Sequence, residues 1–461
     1  MIETKEELLE SILKEAIQKT KKTNHIQLVS ITKKIDTIDP LHFFEAAKQL
    51  EADRTFWSST ADDFFMVGVG ATYKIEATDN RFDETDEQWR RVKEQAIIYD
   101  AYQHPGTGLV AMGGMTFDPN KERTVLWENY SDSEFTVPSY MLTKYEGKHY
   151  LTTNVQVSKD DQAPDIANTI NETIHTLLKK PVTAAVKTEI INKNEIAPDK
   201  WKQTVEDATQ LIKTSGVEKI VLSRELRVRL SQKAEITTVL TELLSAQTNS
   251  FVFAFERAGD CFVGATPERL VKIQNEHLLS TCLAGTAPRG INLEEDATLA
   301  NELFQDEKNR SEHDFVVKMI KQAISPYCTD IEIPNEPIIY PLKNLQHLFT
   351  PVTARLTSGV SMFDIIKHLH PTPALGGVPR EKSLQFIREH EQLDRGWYGA
   401  PVGWLDHNNN GEFAVAIRSG LIQGDAASLF AGCGVVKDSD PEAEYEETNI
   451  KFAPMLSVLG G

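Results

Sequence analysis

The chain has 461 residues, 40% of them hydrophobic, enough for one large domain or two to three ordinary ones with a sizeable core. Its formal net charge of −19 disfavours a nucleic-acid backbone or an anionic membrane as main partner, but leaves room for a small anion in a local basic pocket. The four cysteines (Cys261, Cys282, Cys328, Cys433) lack metal-type spacing, and neither a signal peptide nor a membrane-length apolar run is evident, so a soluble cytoplasmic protein is predicted.

Residues 4–20 place Leu8, Leu9, Ile12, Leu13, Ala16 and Ile17 at helical spacing. Strand-like runs follow at Phe64–Val69, Leu109–Phe117, Val125–Trp127 and Tyr150–Val157, and the polar Ser158–Asp165 reads as a loop. Residues 1–160 thus read as a β-rich scaffold without a catalytic constellation, part of the same body as residues 161–461. Asp199 is a candidate cap for a helix with Trp201, Val205, Ala208 and Ile212 on its apolar face. The β-branched run Val217-Glu-Lys-Ile-Val-Leu-Ser-Arg224 predicts a strand on which Val217, Lys219 and Val221 point the same way. Lys219 is then either an ordinary lysine on an exposed strand or a desolvated one suited to act as a base.

Phe251–Phe255 and Cys261–Ala265 predict adjacent strands. The proline in Gly264-Ala-Thr-Pro-Glu268 breaks the second and leaves Glu268 at a surface turn or, as a general acid, in a cleft. Ala284, Gly285 and Thr286 open a tight turn ending at Gly290, with amides and a hydroxyl for polar substrate groups. One helix is predicted from about Asn301 to Tyr327, burying Phe315, Val316, Met319, Ile320 and Ala323. Glu312 falls on or beside that stripe and needs a basic partner or a metal. His347 enters a strand, where a structural role is the plainer reading; His368 and His370 precede the rigid loop Pro371–Pro379. A helix over about Arg380–Glu391 and strands at Gly399–Trp404, Phe413–Ile417 and Ser428–Ala431 complete this part. Tyr398 begins the first of these strands and Arg418 ends the second, and together they suit a carboxylate.

In the stretch 431–451, Gly432 and Gly434 permit close backbone approach, or a positive φ where a turn needs it. Asp440 and Pro441 then start a helix that puts Glu444, Glu447 and Lys451 on one face. The carboxylates suit a hard divalent cation and the amides and Lys451 an anion; a solvated acidic helix is the bland alternative.

These motifs together resemble the chorismate-utilising enzymes, which comprise isochorismate, salicylate, anthranilate and aminodeoxychorismate synthases. The resemblance covers residues 200–461. It rests on the runs 217–224, 264–268, 283–290, Ser311-Glu-His313, Leu345-Gln-His347, 371–379, 398–403, 413–418 and 431–451. Asp39-Pro-Leu-His-Phe-Phe44 and Arg54-Thr-Phe-Trp-Ser-Ser59 further resemble the isochorismate synthases of the menaquinone branch. Lys219 matches the members that add water, and Ala284 stands where aminodeoxychorismate synthases carry a nucleophilic lysine. The resemblance therefore implies water as nucleophile, chorismate as substrate, and no glutamine amidotransferase subunit. It implies Lys219 as base, Glu268 as acid and His347 as a hydrogen-bonding aid. Mg²⁺ would sit on Glu312, Glu447 and Glu444. Lys451 and the amides near Gly432 and Gly434 would seat the ring carboxylate, and Arg418 and Tyr398 the enolpyruvyl carboxylate. The nearest rival is a salicylate synthase, which goes on to eliminate pyruvate. Many strands without βαβ alternation predict an α+β fold, largely antiparallel, and the resemblance implies two packed sheets with outer helices in one large domain.

Overall fold

The structure is a computed structural model that describes residues 3–180, 187–341 and 345–461. Two large, mostly antiparallel sheets carry the chain. In the first, the neighbours run Ile190–Glu195, Lys219–Leu230, Ala426–Val435, Ser419–Gln423, Asp260–Thr266, Phe251–Arg257, Arg54–Ser59, Phe64–Val69, Tyr140–Tyr145, Lys148–Val157, Gln27–Ile35 and Ile97–Tyr99. The short strand Gly377–Val378 pairs beside Lys219 and Ile220. In the second, they run Cys328–Glu332, Leu345–Leu356, His277–Pro288, Arg269–Gln274, Gly411–Val415, Pro401–Asp406, Val110–Met115, Ser133–Val137 and Tyr73–Ala77. Strands from the first 160 residues thus pair directly with later ones: Arg54–Ser59 with Phe251–Arg257, and Val110–Met115 with Pro401–Asp406.

An aromatic layer fills the space between the sheets. Trp57, Phe64, Phe253, Phe255 and Phe262 from the first meet Met112, Val402 and Trp404 from the second, with Trp127, Tyr130 and Trp397 wedged among them. Phe64 stacks on Trp404 and Trp127 on Phe430. Such pairs add about 0.5–1.5 kcal/mol each beyond their burial. Helices cover the outer faces and form two further cores, one including Leu13, Phe44, Ile170 and Leu240, the other Trp89, Val205, Ile320 and Ile366.

Two chain crossings between the sheets matter most. The strand Asp260–Thr266 of the first sheet passes through Pro267 and Glu268 into Arg269–Gln274 of the second. The strand Gly411–Val415 of the second passes through Ala416, Ile417 and Arg418 into Ser419–Gln423 of the first. The crossings are tied to each other, Val415 N–H to Glu268 O at 3.0 Å and Ala265 N–H to Arg418 O at 3.2 Å.

Several local expectations are corrected. Val125–Trp127 is a 3₁₀ turn, not a strand: Val125 is exposed while the Trp127 indole is buried and donates to Asp394 O. The loop expected over Ser158–Asp165 already contains the start of the helix Ala163–Leu178, favoured by Pro164 and a face of Ala167, Ile170, Ile174 and Leu177. Pro198 opens the helix Pro198–Ser215, so Asp199 lies in its first turn and is not the cap. The predicted helix 301–327 is two, Leu293–Gln305 and Glu307–Ile324, because Asp306 caps the second through Asn309 N–H. On that second helix Phe315 is exposed, and His313, Ile320 and Ile324 are the buried residues. Leu8 is likewise exposed, whereas Ile12, Leu13, Ala16 and Ile17 are buried as expected. The strand Ser419–Gln423 was not anticipated.

Candidate active site

Lys219, at the start of its strand, leans across the glycine of the neighbouring strand. A Cβ on Gly434 would overlap the Lys219 side chain, so glycine is what gives the amine its place. Gly432 and Gly434 are ordinary ladder residues opposite Ser223 and Val221, and neither has the positive φ that a turn would have required. Val217, just before the strand, and Val221 are buried, but the Lys219 side chain is 20% exposed and its Nζ bonds Glu312 Oε1 at 2.6 Å. The partner that Glu312 required is therefore this lysine.

Glu268, on the first crossing, lies within electrostatic reach of Lys219. Burial raises its carboxyl to about 7, against the opposing pull of the Lys219 charge. A carboxylic acid with that value keeps a transferable proton near neutrality. Thr372, in the loop that follows His370, lies near the same carboxyl, and among the described residues its buried hydroxyl has no partner within hydrogen-bond distance.

The strand His277–Pro288 bulges at Gly285, which has φ +77°, a left-handed conformation that favours glycine. The bulge turns Thr286 toward His347: Nδ1 of the imidazole lies 2.9 Å from Thr286 Oγ1 and 3.2 Å from Gly285 O. A carbonyl only accepts, so Nδ1 carries the proton. Burial lowers the imidazole to about 4, with Arg418 and Lys451 adding to the effect, so His347 is neutral at physiological pH. Ala284 O is held by the buried His313, whose other nitrogen reaches Thr350 Oγ1 at 2.7 Å.

Arg418 is the last residue of the second crossing and has φ +52°. It makes no ion pair with any described residue; Tyr398 and Glu447 are its nearest ionisable neighbours by charge. Tyr398 is buried against Phe430, its hydroxyl bonded to Ser223, and burial pushes it up to about 12, so it stays protonated. Lys451 donates to Gly432 O at 2.8 Å and to Glu447 Oε1 at 2.6 Å. Asp440 caps the helix Pro441–Val458 through Glu442 N–H and Ala443 N–H, as predicted.

The three carboxylates assigned to Mg²⁺ have other partners. Glu312 holds Lys219, Glu447 holds Lys451, and Glu444 accepts from Ser439 Oγ at 2.6 Å. Among the described residues no three His, Cys, Asp or Glu side chains are grouped to hold a metal ion. The donors are of the right chemical kind for a hard cation, but lysine ammonium groups occupy two of them. No helix among the described residues is long and apolar enough to cross a membrane.

Sequence reasoning missed Thr372, Ser223 and the His313–Thr350 contact. The run 371–379 carried the only signal for Thr372, and it read as a rigid loop.

The family described as chorismate binding enzyme matches residues 15–460. The chain is 44% identical over 453 residues to isochorismate synthase MenF of Bacillus subtilis strain 168, spanning 97% of this chain and 96% of that protein. It is 34% identical over 444 residues to the salicylate biosynthesis isochorismate synthase of Pseudomonas aeruginosa, spanning 94% and 91%. The fold superposes on the menaquinone-specific isochorismate synthase MenF from Escherichia coli with a TM-score of 0.79 at 24% identity, covering 97% of this chain and 100% of that one. A family match over nearly the whole length, on a fold whose crossings bring the matched motifs together, places this chain among the chorismate-binding enzymes.

Proposed function

We propose that this protein is an isochorismate synthase that uses Mg²⁺ and serves menaquinone biosynthesis. The observation that carries the reading is a buried carboxylic acid raised to about 7, Glu268, within reach of the Lys219 charge, on a fold where Arg418 has no ion pair among the described residues. The identity to a MenF along the whole chain supports the pathway.

In the proposed reaction a water adds to ring carbon 2 of chorismate, and Lys219, acting as the base, takes its proton. Glu268 gives its proton to the hydroxyl leaving carbon 4, which departs as water while the ring double bonds shift. Arg418 and Tyr398 hold the carboxylate of the enolpyruvyl arm by charge and hydroxyl. His347, neutral and fixed by Gly285 O, offers its second nitrogen as an acceptor. Lys451 seats the ring carboxylate. Mg²⁺ bound to Glu312 and Glu447, with Glu444 beside them, would neutralise that carboxylate. Neither lysine would then remain on its present carboxylate.

The test is product analysis by chromatography and mass spectrometry after incubation with chorismate, with Mg²⁺ and with EDTA. Isochorismate without pyruvate, formed only with metal, supports the reading. Salicylate with equal pyruvate makes the protein a salicylate synthase, and unchanged chorismate removes the proposal.

A further inference from the structure

The strand that carries Lys219 has a gap along one edge. Gly377–Val378 pairs with Lys219 and Ile220, and Ile190–Glu195 pairs with Leu226–Leu230. Among the described residues no strand pairs with that edge between them. Buried backbone groups without partners are costly, so something must meet Val221 and Ser223. Side chains do. Arg395 Nη2 donates to Val221 O at 2.8 Å, and Glu391 Oε2 accepts from Ser223 N–H at 2.7 Å. The two are themselves a double-bonded ion pair, Nε to Oε1 and Nη2 to Oε2, each at 2.7 Å. Their side chains are 3% and 1% exposed.

The pair also reaches the other half of the chemistry. Arg395 Nη1 donates to Leu375 O at 3.0 Å, in the loop that presents Thr372 to Glu268. The guanidinium stacks over Phe117, 4.2 Å from the ring centre. Next along the edge, Ser383 Oγ donates to Lys219 O at 2.9 Å. The ion pair, together with Trp201, thus stands in for a missing strand beside Lys219, and it alone also reaches the loop beside Glu268.

We propose that Glu391 and Arg395 are positioning residues, which set the distance between Lys219 and Glu268 by bracing strand and loop together. This rests on the reading of Lys219 as the base. The pair touches neither substrate nor reacting atoms, and its effect should appear in kcat and not in KM.

The test uses Arg395→Lys, which keeps the charge but has no planar fork to reach Glu391, Val221 O and Leu375 O at once. Steady-state turnover of chorismate is measured at a temperature where circular dichroism shows the variant folded. The expected result is a loss of tenfold or more in kcat with KM within threefold of wild type. A smaller loss in kcat, or a loss that appears in KM alone, overturns the proposal. Should Arg395→Lys fail to fold, the double variant Glu391→Gln/Arg395→Met removes both buried charges together and is read by the same criteria. Lys219→Ala is run beside them. If it turns over normally, the base assignment has failed; if it is inactive while the brace variants have wild-type kcat, only the positioning role has failed.

Discussion

Gly434→Ala tests the geometry of the base with one methyl group. A Cβ there would overlap Lys219 Cε and stand 3.1 Å from Nζ. Carbon atoms in contact sit about 3.5–4.0 Å apart, so the end of the lysine must move by about 1 Å. The backbone can accept the change, because Gly434 is a ladder residue without positive φ and the obstacle is a flexible side chain. Stability should therefore change by less than about 1 kcal/mol. A reacting group misplaced by about 1 Å loses on the order of 100-fold in rate. The assay is isochorismate formation at saturating chorismate, with substrate affinity measured separately by calorimetry and folding by thermal melt. A kcat near 1% of wild type with affinity and melting temperature preserved is expected. A kcat within threefold of wild type would refute the claim that this contact places the base.

The other expectations follow from the same neighbourhood. Glu268 must be protonated to act as acid, and its carboxyl titrates at about 7, so kcat should fall as pH rises through that value; Glu268→Gln should abolish this limb and lower kcat by about 10²–10⁴-fold, and an unchanged profile would remove Glu268 from the chemistry. Arg418→Met should weaken chorismate binding by about 1.5–3 kcal/mol, the worth of hydrogen bonds to a charged group, and calorimetry showing intact affinity would unseat it as the anchor. Glu447→Gln should raise the Mg²⁺ concentration needed for half-maximal rate, and a metal titration that superposes on wild type would exclude it as a ligand.

What could be read from residue order was whatever local periodicity or capping encodes. The helix start at Asp440 and the strands of 217–224 and 251–265 follow from short-range preferences, whereas the turn expected at Ala284–Gly290 is instead a bulge in the strand His277–Pro288. Helix ends set by a single side chain were harder: Asp306 divides two helices because its carboxylate prefers Asn309 N–H to a continued turn. Partner choice across the fold was not legible at all. Glu312 needed a cation, but only the packing of its helix against His277–Pro288 brings Lys219 within 2.6 Å. Glu391 read only as the end of a predicted helix, and Arg395 carried no signal of its own. Nothing nearby in sequence tells that 170 residues earlier a strand lacks a neighbour.

Glu268 and Arg418, the proposed acid and the proposed anion anchor, sit on the two crossings, which hydrogen-bond to each other. Neither residue belongs to a sheet that could form alone, and each takes its orientation from both. Half an assembled fold therefore has no half-active site. During refolding, turnover should return in step with the closing of the aromatic interior, reported by Trp397 and Trp404, rather than with the earlier recovery of strand content. Bound substrate, for its part, should act as a rivet between the layers and slow their separation.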